Sequence, residues 1–188
     1  MKHITLFLCL VGATMPTMAR ALTPYLSAGM TSGIQNNGRH ASTAYNMLWT
    51  VNGGIQYALT PNISMRNGIE YAMGDYTFKN DVGGIKYEYD TKTKIYMGNI
   101  VASFQPTGFS SSIYAGISAG VTNYDTTLKS PWTAPTESHS TFTYGASAGI
   151  SLNIIAGIYA DFGVRYLTTA DAGSDGNLIT TGGIHMGF

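Results

Sequence analysis

The feature that most constrains this chain is a stretch of alternating residues that occurs twice. Residues 54–71, GIQYALTPNISMRNGIEY, align without a gap with residues 149–166, GISLNIIAGIYADFGVRY, at an offset of 95. Each copy alternates apolar with small or polar residues on both sides of a short turn, which is the period-2 pattern of a β-hairpin. A repeat at a fixed offset indicates the architecture of a whole chain. The two copies therefore predict two matched walls of one β-structure.

The same alternation continues outside the repeat and predicts eight strands. We place them at residues 23–31, 45–59, 63–73, 92–104, 113–123, 141–152, 158–166 and 178–188. Short turns follow the second, fourth and sixth strands, whereas long polar segments follow the first, third, fifth and seventh. Both faces of the fourth strand are apolar, so the sequence does not decide which of its faces points outward. The pattern predicts a sheet with short turns at one rim and long loops at the other.

The two faces of these strands differ in size as well as in polarity. One face consists of Leu, Ile, Val, Phe, Met and Tyr, and the other of Gly, Ser, Thr and Asn with a few charges. An eight-stranded ring is only just wide enough inside for side chains, so the bulky apolar face must point outward, into lipid. Because hydrocarbon offers no hydrogen bonds, such a sheet must close on itself. We predict an all-β, eight-stranded antiparallel up-and-down transmembrane β-barrel with long extracellular loops and short periplasmic turns.

Composition and the placement of charged and aromatic residues agree with this prediction. Charged residues make up 11% of the chain, against roughly 25% in soluble domains. Most of them fall in the long segments, and the short turns carry none. Outward aromatic residues cluster near the strand ends, as in the girdles of outer-membrane barrels. They are Tyr57, Phe104 and Phe188 at the short-turn rim, and Trp49, Tyr71, Tyr144 and Tyr166 toward the other rim.

The first 21 residues have the pattern of a secretory signal peptide. Lys2 gives a short basic start, residues 4–11 are almost entirely apolar, and small residues precede a cleavage after Ala21. The predicted domains are thus a signal peptide, 1–21, and a transmembrane β-barrel, 22–188. Cleavage removes Cys9, the single cysteine, so the mature chain has neither a disulfide nor a thiol site. It also removes Lys2 and Arg20 from ten basic residues and leaves ten acidic ones, for a net charge of −2. A chain without basic runs is not expected to bind nucleic acid.

The repeated stretch, its twin and the terminal sequence GGIHMGF together resemble the eight-stranded outer-membrane β-barrel family. That family includes the outer membrane protein A barrel, outer membrane protein X, the Ail adhesins and the opacity-type proteins. The resemblance covers residues 22–188 and implies a location in the bacterial outer membrane, in contact with lipid and lipopolysaccharide. It also implies that Ile184, Met186 and Phe188 form a C-terminal signal for the barrel-assembly machinery, with periplasmic chaperones as further partners during biogenesis.

The two copies of the repeat differ in their charges. Arg66 aligns with Asp161, and Glu70 aligns with Arg165. If the third and seventh strands face one another across the ring, these four inward groups meet and their charges sum to zero. A buried cluster requires this, since unpaired buried charges are very costly. We predict a lumen ion-pair cluster that seals the barrel, with a rearrangeable gate as the alternative. His185 is expected to face the lumen as a satisfied histidine.

No catalytic, cofactor-binding or metal-binding residues are predicted. Glu137, Ser138, His139 and Ser140 contain the residue types of a hydrolytic triad. However, they are adjacent on a predicted flexible loop, which does not fix the geometry between nucleophile and base. No set of His, Cys and carboxylate residues has the spacing of metal ligands. The sequence thus favours a protein that is not an enzyme and has no cofactor.

Two functions stay open for such a barrel. The first is a surface structural or adhesion-type scaffold that displays four extracellular loops to a host or surface ligand, since loops on a rigid scaffold commonly carry binding. Trp132, and the pair Tyr87 and Tyr89 with nearby lysines, are candidate contacts. The alternative is a small porin or solute channel, which requires a continuous wet lumen.

Overall fold

The structure, a computed structural model, describes residues 22–34, 45–82, 85–129, 135–170 and 177–188. The predicted signal peptide with its cleavage after Ala21, and Trp132, lie outside these ranges. Eight strands follow one another: β1 (Thr23–Ile34), β2 (Tyr45–Ala58), β3 (Ile63–Val82), β4 (Ile85–Phe104), β5 (Ser111–Lys129), β6 (Thr136–Ile155), β7 (Ile158–Thr169) and β8 (Asn177–Gly187). No helix in the described residues is long and apolar enough to cross a membrane.

Each strand pairs antiparallel with the next, and β8 pairs with β1, so the sheet forms a closed barrel. Phe188 N donates to Pro24 O over 3.0 Å and completes this seam. Leucine, isoleucine, valine and aromatic side chains alternate outward; Ile69 is 67% exposed and Ile117 64%. Inward positions on the same strands are mostly polar and buried. The predicted eight-stranded antiparallel barrel is confirmed.

Four strands extend further than predicted. Residues 75–90 are expected to form a long exposed loop or a hairpin tip, and residues 125–140 a long polar loop. Instead β3 and β4 pair through the first segment as a hairpin, and β5 and β6 continue through much of the second. Beyond the membrane both sheet faces are wet, so the apolar alternation that marks a strand disappears. Cross-strand pairs replace it: Lys79 Nζ lies 3.1 Å from Glu88 Oε2, and Thr77 Oγ1 donates to Asp90 Oδ1 over 2.7 Å.

The fourth strand has one clear facing. Ile95 and Met97 are buried inside the barrel, whereas Tyr96 and Phe104 are exposed outside. The inward pair joins an apolar layer inside the ring, which also contains Ala72, Leu167 and Ile179, with Leu48 packed against it. The interior is therefore not only small polar residues and charges, as the sequence predicted. Leu48, which breaks the alternation of β2, belongs to this layer.

One residue of the predicted short-turn girdle is not exposed to lipid. Tyr57 is only 8% exposed, because its hydroxyl lies 3.5 Å from Asn67 Nδ2. Asn67 sits at an outward position of β3, where an uncovered amide in hydrocarbon would be costly. Asn67 Nδ2 donates to the Tyr57 hydroxyl, and both side chains are buried on the outer wall.

Candidate functional site: the lumen ion-pair cluster

The lumen cluster lies midway along the barrel and connects opposite walls. β3 and β7 are four strands apart in the ring. Arg165 Nη1 and Nη2 donate to the two carboxylate oxygens of Glu70 over 2.5 and 2.8 Å, a bidentate geometry that is among the strongest ion pairs available to a protein. Arg66 Nη1 donates to Asp161 Oδ2 over 3.0 Å. Each arginine thus contacts the carboxylate at the repeat-equivalent position.

His185 belongs to the second of these pairs. Its Nδ1 lies 2.8 Å from Asp161 Oδ2 and 3.0 Å from Arg66 Nη1. A guanidinium can only donate and a carboxylate can only accept, so Nδ1 can hydrogen-bond to one of the two groups at a time. When Nδ1–H donates to Asp161, Arg66 donates to the same carboxylate and not to the ring nitrogen. The Tyr159 ring stacks on the imidazole, with ring centroids 4.6 Å apart. The sequence places His185 in the lumen but carries no signal for its contact with Asp161, which depends on the register of β7 and β8.

Two inward tyrosines pack beside the cluster, and the repeated glycines make room for them. Gly68 lies beneath the Tyr25 hydroxyl, and a Cβ on Gly149 would come within 2.6 Å of Tyr114 Cζ. Tyr25 Oη donates to Asn52 Oδ1 over 3.2 Å. The Tyr114 ring lies beneath the Arg66 guanidinium, 5.6 Å from centroid to Cζ, within the range of a cation–π contact.

Two small cavities lie above and below Arg66. The one toward the long-loop side has a volume of about 100 Å³ and is bordered by Glu70, Tyr114 and Arg165. The other, of about 190 Å³, reaches the short turns and is bordered by His185. Arg66 borders both cavities. Each is polar and large enough to hold ordered water.

The other predicted site residues lie elsewhere. Ile184 and Phe188 point outward and are 53% and 72% exposed, and Met186 is half-buried. Ser138 and His139 lie in β6, not on a loop, and successive strand residues point to opposite faces. Ser138 Oγ donates instead to Asp125 Oδ1 over 2.7 Å.

The candidate contact residues near the long loops also do not share one face. Tyr87 and Tyr89 lie at positions of β4 that alternate with Lys92 and Lys94, so the tyrosines and the lysines belong to opposite faces. Within the described ranges, no group of three or more His, Cys, Asp or Glu side chains could hold a metal ion.

Comparisons with known proteins bear on the whole barrel. A family model described as outer membrane protein beta-barrel domain matches residues 5–188. No curated protein matches the chain by sequence. The structure of Neisserial surface protein A is similar, with a TM-score of 0.58 and 13% identity over 89% of this chain and 97% of that chain.

Two further solved structures have the same fold. A major outer membrane protein from Thermus thermophilus has a TM-score of 0.56 and 10% identity over 89% of this chain and 100% of that chain. The Ail protein of Yersinia pestis, in complex with the heparin analogue sucrose octasulfate, has a TM-score of 0.53 and 14% identity over 91% and 100%. At such identities the likeness concerns the fold alone.

Proposed function

Since the chain belongs to the outer membrane protein β-barrel family and lies in the bacterial outer membrane, we propose that it is a surface scaffold of structural or adhesion type. In this proposal the barrel is an anchor with a closed lumen, and the extracellular ends of its strands carry the contacts. The protein performs no catalysis in this role.

The observation that carries the proposal is the filled interior. Arg66, Glu70, Asp161 and Arg165 join opposite walls at mid-height. Met97 is the register partner of Glu70, and the next inward step toward the extracellular end is Ala72 with its partner Ile95. A barrel of this size leaves little space beyond its side chains. A charged cluster beneath a layer of apolar side chains is a poor path for hydrated ions, which supports an anchor more than a channel.

The extension of β3, β4, β5 and β6 supports the surface role. Crossing the bilayer takes about 9–11 strand residues, whereas β3, β4 and β6 each contain 20. About half of each of these strands therefore projects outside as a continuous sheet, while β1, β7 and β8 contain only 11 or 12 residues. Ion pairs between neighbouring strands, from Lys79 and Lys129 to Glu88, stabilise this projecting part of the sheet. Such a sheet holds its side chains in a fixed pattern that a surface ligand can bind.

We propose that a host or surface ligand binds this projecting sheet. The complex of Ail with a heparin analogue supports the idea that a barrel of this fold can hold a ligand. We also propose that the exposed Phe188, with Ile184 and Met186, is the segment that the barrel-assembly machinery reads after export with periplasmic chaperones.

Single-channel recording in planar bilayers tests the closed lumen. We expect the refolded protein to insert without producing stable conductance steps. The matched variant is Arg66→Ser, which removes a side chain that borders both cavities. Reproducible steps from the wild-type protein would contradict the closed anchor.

A small pore with a gated lumen is the second candidate. The observation in its favour is that Arg66 borders both cavities and contacts Asp161 through only one of its nitrogens. A swing of this side chain would join the cavities. Under this alternative, wild-type openings are brief and Arg66→Ser prolongs them, whereas a purely structural plug gives none in the wild type.

A further inference from the structure

Among the described residues, one lysine lies at the depth of the outer aromatic girdle. The strand register sets outward side chains in rows around the barrel, and one row contains Val51, Tyr71, Tyr96, Val121 and Phe142. The Tyr71 and Tyr96 rings lie 5.0 Å apart. The next row outward contains Trp49, Met73, Lys94, Asn123 and Ser140. Girdle aromatics mark the headgroup depth of a bilayer, so Lys94 lies among lipid headgroups.

Lys94 has no ionic partner in the part of the chain that the structure describes. Lys94 is exposed and forms no ion pair with any residue in the described ranges, and its register neighbours are Met73 and Asn123. The other lysines of this face differ. Lys79 and Lys129 pair with Glu88, and Lys92 lies between Asp75 and Asp125 in the register.

Neutral hydrogen-bond donors stand beside Lys94. Asn123 and Ser140 follow it on the next two strands of the same row. Neighbouring strands are about 4.8 Å apart, so one tetrahedral anion can contact donors on adjacent strands. An ammonium group with an amide and a hydroxyl is a donor set suited to phosphate oxygens.

We propose that Lys94, with Asn123 and Ser140, binds a phosphate group of an outer-leaflet lipid, in particular the phosphate monoester of lipid A. Anionic lipid headgroups attract basic residues near the membrane surface. A monoester carries more charge than the diester of a phospholipid and has more free oxygens. The inference rests on the location of the barrel in the outer membrane and not on its proposed surface role, so the two can fail separately.

Lysine acetylation with a water-soluble reagent tests the site directly. The full mature chain is refolded in dodecyl maltoside, which contains no phosphate, and the modified lysines are quantified by peptide mass spectrometry. We expect added lipid A to slow acetylation of Lys94 but not of Lys79. Lys79 is an internal control, because it lies farther from the membrane on the same face. Lipid A with its phosphates removed should protect neither lysine. Equal rates at Lys94 with and without lipid A would overturn the proposal, and so would equal protection by dephosphorylated lipid A.

A second arm distinguishes the source of the phosphate. Inorganic phosphate at the same concentration is expected to leave Lys94 unprotected, since it lacks the acyl chains that hold lipid A against the barrel. Protection by inorganic phosphate alone would contradict a lipid site. In binding titrations, Lys94→Gln should weaken retention of lipid A about fivefold, which corresponds to about 1 kcal/mol, and Lys79→Gln should leave it unchanged. Equal retention by the two variants would also overturn the assignment.

Discussion

Tyr25 and Tyr114 pack against glycines of the repeat, and this gives a physical reason for glycines at equivalent positions of the two copies. Gly54 pairs with Gly68, and Gly149 pairs with Gly163. A Cβ on any of the four would collide with backbone or with a tyrosine. The repeat therefore encodes room for a large side chain inside a narrow ring.

Gly149→Ala should destabilise the barrel, because the added methyl group meets both Tyr114 and the backbone of β7. Overpacking of this kind costs about 1–3 kcal/mol. Gly182→Ala is the matched control, since its nearest heavy atom would be Phe162 Cδ1 at 3.9 Å. Urea unfolding of vesicle-refolded protein measures the difference. Equal midpoints for the two variants would contradict the packing described for Tyr114.

Glu70→Gln should remove the partner of Arg165 and leave a buried guanidinium without its counter-charge. Glu70 is 4% exposed, and breaking a buried pair typically costs about 3–5 kcal/mol. The reciprocal double variant, Glu70→Arg with Arg165→Glu, should recover part of the loss in the same urea assay. Arg66→Ala should also lower the urea midpoint. If the double variant were less stable than Glu70→Gln, the pairing would not be the source of the stability.

The residues of the cluster could be chosen from the sequence because the aligned copies carry opposite charges at equivalent positions. The structure brings those positions within hydrogen-bonding distance. The contact of His185 with Asp161 could not be inferred in this way, since His185 lies outside the repeat. The packing of Tyr25 and Tyr114 could not be predicted from the sequence either, because it depends on the registers that join β1 to β2 and β5 to β6.

At the scale of strands, prediction succeeded where one face meets lipid and failed where both faces meet water. The lipid-facing segments largely follow the period-2 pattern, with Leu48 in β2, Asn67 in β3 and the apolar inward positions of β4 as exceptions. The upper parts of β3, β4, β5 and β6 do not, and only the register shows their charges to be opposite one another. The apolar layer was missed for a related reason: a residue such as Ile179 interrupts a polar face and has no local signal for its partners.

The projecting sheet should loosen at both extremes of pH. Hydrogen bonds from Lys79 and Lys129 lower the pKa of Glu88, and a hydrogen bond from Lys129 lowers the pKa of Asp90. Their contribution to stability is therefore present above the ordinary carboxyl pKa values, near 4, and is lost as the pH falls through the lowered values. Pairing with Asp90 and Glu88 raises the pKa of Lys129, so its contribution is lost only as the pH rises above about 10.5.

Amide hydrogen exchange, corrected for its intrinsic pH dependence, checks this behaviour. We expect protection of residues 87–90 to be constant at intermediate pH and to fall in strong acid and strong base. Amides of the membrane segment of β5 serve as the reference. Lys129→Gln should lower protection of the same residues at neutral pH. A pH-independent pattern in residues 87–90 would show that backbone pairing alone holds the sheet.

At the scale of the whole molecule, the repeat and the ring together form a near-symmetric anchor. Residues 95 positions apart lie on opposite walls and contact each other across the lumen. The projecting sheet breaks this symmetry, since β3 to β6 are long and β7, β8 and β1 are short. The membrane part of the sheet closes because β1 pairs with β8, and this pairing does not involve the projecting parts of β3 to β6. Folding of the anchor and display on the surface should therefore be separable.

Removing residues 76–91 tests this separation. Asp75 and Lys92 are register partners, so an Asn-Gly linker can join them as a two-residue hairpin turn. The shortened chain keeps the cluster, the glycine pairs and the C-terminal strand, and these hold the ring closed. We expect it to retain the heat-modifiable migration on SDS gels that a folded barrel of this family shows, with a boiled sample as the reference. We also expect it to lose binding to any ligand held by the β3–β4 part of the projecting sheet. Loss of the fast-migrating band would mean that the extension is needed for barrel closure. The surface would then not be an independent part of the molecule.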